Sequence, residues 1–202
     1  MRDDLTARAR IRDAALAMFG ERGVAGATIR GIAERAGVSP ALVQHHFGSK
    51  GGLRAACDAH VLDYLRGATK AGLGEGRIGE SSFIAQLSAS APPLMRYLAR
   101  ALVDGSPAAA TVFDEIVDLT EAYLVDVPGH SDARTRAVVY TAMRLGVTVL
   151  HEHVSRGLGE DLFAAGPRVG RATLDVTAPR IIPDGLAERV RDGLDRFERG
   201  RL

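Results

Sequence analysis

Tryptophan is absent from this chain, cysteine occurs once and lysine only twice. The single Cys57 excludes an internal disulfide framework and any cysteine-rich zinc module. No apolar run approaches the roughly eighteen residues of a membrane-spanning helix. The opening "MRDDLTARARIRDAAL" also lacks the continuous apolar stretch of a signal peptide, so a cytoplasmic chain with no membrane partner is expected. Strand alternation and hairpin turn signals are scarce, and neither an internal repeat nor a low-complexity segment occurs.

What remains is ordinary globular composition, with 46% hydrophobic and 25% charged residues. The 202 residues are enough for one substantial core, or for a small domain joined to a larger one. The 26 basic and 25 acidic groups balance over the chain but not along it. Residues 1–54 carry nine Arg/Lys against five Asp/Glu, whereas residues 55–202 carry seventeen against twenty. The basic excess of the first quarter is where a polyanion would be met.

Helical periodicity dominates. Ile11, Ala14, Ala15, Met18 and Phe19 draw one apolar stripe along a helix expected over residues 5–21 and ended by Gly23. Thr28 offers an N-cap for a second, short helix with Ile29, Ile32, Ala33 and Ala36 inward, stopped by Gly37. Ser39-Pro40 then starts a third helix, because serine caps orphan N–H groups and proline at the first helical position has no N–H to lose. Leu42, Val43 and Phe47 face inward, and the glycine-containing turn makes the pair a helix-turn-helix unit. Ser49 caps a long helix over residues 50–71. Further helices are expected near 82–90, 92–104, 107–126 and 133–157, separated by "PP", "DGSP" and "VPGHSD". Between Gly157 and Asp184 the glycines and prolines leave room for one short helix. A last amphipathic helix follows with Leu186, Val190, Leu194 and Phe197 on one face.

The third helix lacks a core reason for its outward face. Pro40, Ala41, Gln44, His45 and His46 are small, amide or imidazole groups, and none is acidic. The DNA major groove admits such a helix, since small residues allow close approach and touch thymine methyls while an amide pairs with adenine. His45 and His46 donate to phosphate oxygens in either protonation state. Lys50 adds a cation where a helix N-terminus already favours an anion, and Thr28 occupies the equivalent end of the second helix.

The stretch "TIRGIAERAGVSPALVQHHFGSKGGL", with the amphipathic helix before it, resembles the DNA-binding domain of the TetR family of bacterial transcriptional regulators. The shared pattern is a threonine opening the second helix, "IA..AGVS" through the turn, then His-Phe and a lysine three residues later. It covers residues 8–55. The chain departs where the family commonly has tyrosine and this sequence has Gln44. The resemblance implies an all-α protein of about nine to ten helices, with a helix-turn-helix domain over residues 1–52 and a helical ligand-binding and dimerisation domain over 53–202. It implies a homodimer on a palindromic double-stranded operator, repressing transcription until a small-molecule effector releases it, hence a nucleoid-associated protein. DNA contacts are expected from Thr28, Ser39, Pro40, Ala41, Gln44, His45, His46 and Lys50. No catalytic residue, cofactor or metal is expected.

In the larger domain, Phe83, Met95, Tyr97, Phe113, Tyr123, Tyr140, Met143 and His151 are candidate pocket residues, although for any one of them a place in the core is the more usual role. The helix around Tyr140, with small Ala142 and Gly146, pairs with the terminal helix in an expected four-helix dimer interface. Other readings stay open. Thr28 and Ser39 are helix caps in any helical protein, and the N-terminal arginines Arg2, Arg8, Arg10 and Arg12 either reach DNA or are solvated. An architectural DNA-binding protein that responds to no ligand has the same first domain. A thiol enzyme built on Cys57 and His60 is the third reading. His151-Glu152-His153 lacks the spacing that puts two imidazoles on one helical face, which argues against zinc.

Overall fold

The computed structural model describes residues 2–124, 132–181 and 184–199. Ten α-helices account for most of them, and no strand occurs among the described residues. The chain divides into two compact units, one of residues 1–65 and 93–110, the other of residues 66–92 and 111–202.

The first unit contains α1 (Arg2–Gly26), α2 (Ile29–Ala36), α3 (Pro40–Phe47) and most of α4 (Lys50–Thr69), with the later part of α5 (Ser81–Val103) and the start of α6 (Pro107–Tyr123). The stripe expected on α1 is its core, where Ile11, Ala15 and Phe19 are fully buried with Ile32, Val43, Leu53 and Cys57. Each large side chain there contributes about 1.5–3 kcal/mol by leaving water. Gly23 interrupts α1 where its end is expected. It is a kink with φ 69° and ψ 167°, a conformation glycine adopts without steric cost, and the helix resumes to Gly26. Three residues earlier, Gly20 lets α1 approach α5, since a Cβ there would lie 3.2 Å from the backbone nitrogen of Tyr97.

The caps fall where residue chemistry puts them. Thr28 Oγ1 accepts from the Gly31 amide at 3.0 Å, and Ser39 Oγ accepts from the Leu42 amide at 3.2 Å. Gly37, at φ 66°, closes α2 by donating its amide to the Glu34 carbonyl at 3.1 Å. Arg35 holds Glu21 through two bonds of 2.8 and 2.7 Å, tying α2 to α1 at the surface.

The second unit takes the end of α4, a π-helical turn (Lys70–Gly74), a 3₁₀ turn (Arg77–Gly79), the early part of α5, most of α6, then α7 (Ala133–Val149), α8 (His151–Leu158), α9 (Gly166–Ile181) and α10 (Asp184–Arg199). Three boundaries differ from the sequence reading. Pro92-Pro93 does not separate two helices, because α5 runs through it. Proline has no amide to donate to the carbonyls of Ser88 and Ala89, and these residues are part-exposed and exposed, where water has access to the carbonyls. The long helix expected over 133–157 is two, interrupted at Leu150. The segment after Gly157 holds a full helix of 16 residues rather than one short piece, with Pro167 in its first turn, where no amide is needed. Of the break expected at "VPGHSD", Asp132 alone is described, and it caps α7 by accepting from the Thr135 amide at 2.9 Å.

α10 docks on the 3₁₀ turn through glycines. A Cβ on Gly79 would lie 2.6 Å from the Arg189 carbonyl oxygen, and one on Gly193 would collide with the Gly79 carbonyl. Arg196 completes the junction by donating to that carbonyl at 2.6 Å.

Candidate nucleic-acid interface and ligand cavity

On α3 the exposed positions are Pro40, Ala41, Gln44 and His45, spaced as one helical stripe, while Val43 is fully buried and Leu42 and Phe47 are half-buried. Thr28 and Ser39 are exposed at the starts of α2 and α3, so each hydroxyl has a second lone pair directed away from its cap bond. No Asp or Glu occurs over residues 35–57. The stripe itself therefore carries no carboxylate to repel phosphate.

His46 differs from its neighbour. It is half-buried, its ring centroid 6.2 Å from that of Phe47 and 5.5 Å from that of His45, both edge-on. Arg8 lies over the other ring of this cluster, its guanidinium carbon 5.4 Å from the Phe47 centroid. Packing thus accounts for much of what His46-Phe47 does, and it links the end of α3 to α1.

Lys50 is likewise engaged within the fold. Its Nζ donates to the Ala27 carbonyl at 2.9 Å and to that of Ala25 at 3.5 Å. The ammonium is consequently fixed beside the residue that precedes Thr28, at the N-terminal end of α2. A hydroxyl, orphan amides and a cation converge there on one small region, which is the local chemistry that holds a phosphate. At the start of α4 itself, Ser49 Oγ accepts from the Gly52 amide at 3.0 Å.

The Cys57 thiol has no nucleophile's environment. It is fully buried, its Sγ is 3.8 Å from the Arg12 carbonyl, and burial pushes its pKa up to about 12. Burial also lowers the pKa of His60. Among the described residues no group of His, Cys, Asp and Glu could hold a metal, and none of the helices is long and apolar enough to cross a membrane.

The second unit contains a cavity of about 380 Å³. Its walls come from Leu73 and Ile78 in the two turns, Phe83, Ile84 and Leu87 of α5, and Ile116, Leu119, Thr120 and Tyr123 of α6. Tyr140 and Arg144 of α7, Gly170, Thr173 and Leu174 of α9, and Leu186, Val190 and Leu194 of α10 close it. Of the residues picked out from sequence, Phe83, Tyr123 and Tyr140 meet here. Met143 lines an adjoining open cleft of about 440 Å³ that shares Tyr140, Arg144 and Thr173. Neither recess includes Met95, Tyr97, Phe113 or His151. Tyr97 belongs to the first unit, where its hydroxyl donates to Asp58 at 2.5 Å, and the His151 ring sits 5.4 Å from that of Phe163. The aliphatic wall was not singled out in the sequence because Leu and Ile on six separate elements carry no local mark of convergence. The apolar stripe of α10 faces this cavity.

Two short capped helices, the second presenting a small, acid-free stripe, packed on the longer α1 define the class: a helix-turn-helix DNA-binding protein. Residues 11–57 match the model described as bacterial regulatory proteins, tetR family. Over residues 11–57 the chain thus carries the DNA-binding domain of the TetR family of transcriptional regulators. A stretch of 123 residues is 46% identical to the HTH-type transcriptional regulatory protein RaaS of Mycobacterium tuberculosis, covering 60% of this chain and 57% of that protein. The chain thus spans little more than half of that relative. The fold is that of a gamma-butyrolactone receptor described as ArpA-like, with a TM-score of 0.68 at 20% identity over 99% of this chain and 100% of the other. It is equally that of CprB from Streptomyces coelicolor in complex with its operator sequence, with a TM-score of 0.68 at 19% identity over 97% and 98% of the two chains.

Proposed function

We propose that two copies of this chain bind a palindromic operator and repress transcription until a small molecule in the larger domain releases them. In this reading residues 1–52 bind DNA, and residues 53–202 bind the effector and pair the subunits. The observation that carries it is the exposed stripe of α3 beside the phosphate-ready N-terminal end of α2. Pro40, Ala41 and Gln44 read base edges, and Thr28, Ser39, His45, His46 and Lys50 hold the backbone.

The ligand part rests on the cavity. An architectural protein of the same fold has no use for about 380 Å³ of apolar space, and filling it with side chains would stabilise the domain. α4, α5 and α6 each contribute residues to both compact units, so they are the continuous routes by which effector binding reaches the DNA-binding helices. An effector that prefers one conformation shifts the separation of the two recognition helices and lowers operator affinity.

For pairing, α7 and α9 are the better candidates than α7 and α10. Val138, Val139 and Met143 of α7 and Val176 of α9 are exposed, Val176 at 79%, whereas α10 spends its apolar face on the cavity. The test is geometric. On a selected palindrome, inserting about five base pairs between half-sites, half a helical turn, should abolish binding; unchanged affinity would remove the dimeric reading.

A further inference from the structure

The effector cavity of the proposed regulator is an apolar space with one cationic group on its wall. Among its described lining residues none is Asp or Glu, and the one charged group is Arg144. Elsewhere in the same unit arginines are neutralised, as Arg66 is by Glu115, Arg134 by Asp118 and Arg168 by Glu160. Among the described residues no carboxylate pairs with Arg144. Its guanidinium carbon lies 5.9 Å from the Tyr140 ring centroid, on the wall shared by the cavity and the open cleft.

The neutral polar groups point the same way. Thr120 Oγ1 donates to the Ile116 carbonyl at 2.7 Å and Thr173 Oγ1 donates to that of Val169 at 2.9 Å, so both protons are used within their own helices. Hydrogen-bond donors for a ligand come instead from Arg144 and from the Tyr123 and Tyr140 phenols. A cation in this space would be desolvated without a counter-charge, which is costly. An anionic head on Arg144 keeps a forked, charge-assisted pair at the mouth while its body fills the aliphatic interior.

We propose that this cavity takes an amphipathic organic anion, an aliphatic body ending in one carboxylate, with Arg144 as the residue that selects the head group. The proposal rests on the ligand-responsive reading above and specifies the chemistry of that same site.

The test uses the purified full chain and three probes of one chain length, dodecanoate, 1-dodecanol and dodecyltrimethylammonium, titrated calorimetrically below the micellar concentrations of the two ions and below the solubility limit of the alcohol. Dodecanoate should bind about tenfold or more tighter than dodecanol, the weight of one charge-assisted pair, and the ammonium probe should bind most weakly. Arg144→Met should bring dodecanoate down to the affinity of dodecanol and leave dodecanol unchanged, and Arg144→Lys should restore the preference in part. Leu119→Trp, which fills the cavity, should remove both. Equal binding of dodecanoate and dodecanol, a preference that survives Arg144→Met, or no binding of any probe would overturn the assignment. A parallel titration against operator DNA separates the two claims. Arg144-dependent binding that leaves the DNA bound upholds the head-group chemistry and defeats release by ligand.

Discussion

The ammonium of Lys50 donates to the Ala27 carbonyl at 2.9 Å, joining the start of α4 to the residue before the Thr28 cap. One side chain thereby braces the helix-turn-helix and brings a positive charge to the end of α2. Lys50→Ala should weaken binding to every DNA sequence alike and make log affinity against log salt shallower by about one unit. It should also lower the melting temperature, because two carbonyls lose their partner. Anisotropy titrations at several salt concentrations read the first effect, and an unchanged slope would leave Lys50 a brace alone.

Gln44 is exposed on the stripe of α3, between Ala41 and His45. Gln44→Ala should cost about 1–3 kcal/mol at a single base position and relax the preference there. A uniform loss over all base substitutions would assign the amide to the sugar-phosphate backbone instead.

Adjacent glycines at the start of α4 should behave oppositely. A Cβ on Gly52 would collide with the Phe47 carbonyl oxygen, whereas one on Gly51 meets nothing closer than Ser49 Oγ at 3.6 Å. Gly51→Ala should stabilise the chain by up to about 1 kcal/mol through helix propensity. Gly52→Ala should destabilise it by about 1–3 kcal/mol through overpacking. Urea unfolding distinguishes them, and equal effects would contradict the close approach of Phe47.

Alkali should unfold the protein earlier than its surface charges require. Burial raises the Cys57 thiol from 9.0 to about 12, so the folded state retains a proton that the unfolded chain releases. That contribution is fully present below pH 9.0 and is lost as pH rises toward about 12. The Tyr97 hydroxyl, raised by burial and then by its bond to Asp58, acts in the same sense above the usual phenol value. Cys57→Ala should be less stable at neutral pH because of the cavity it leaves, yet lose less stability on going to alkaline pH. Identical slopes for the two proteins would show that the thiol titrates alike in both states.

Met143, 57% exposed on α7, should tolerate a polar replacement as a monomer but not as an interface residue. Met143→Glu should shift sedimentation from dimer to monomer with little loss of helicity. A dimer that persists would locate the pairing surface elsewhere.

The helix-turn-helix was legible because its signals are local: Thr28, Gly37, Ser39 and Pro40 each act on backbone groups within three residues. The same locality misled at Pro92-Pro93, through which α5 continues, and at Gly166-Pro167, which opens α9 instead of breaking the chain. Lys50 was read as a cation for DNA, and its bonds to Ala25 and Ala27 depend on a fold contact more than twenty residues away in sequence. The cavity was least legible. Aromatic and soft residues drew attention to Phe83, Tyr123 and Tyr140, but its aliphatic walls and Arg144 converge only in three dimensions.

The most direct measurement is selection of binding sites from a random duplex library by the purified protein, followed by sequencing of what it retains. The account predicts a palindromic consensus with half-site centres about one helical turn apart, roughly 34–36 Å. Retention without any consensus, or no retention at all, would contradict a dimeric sequence-specific regulator.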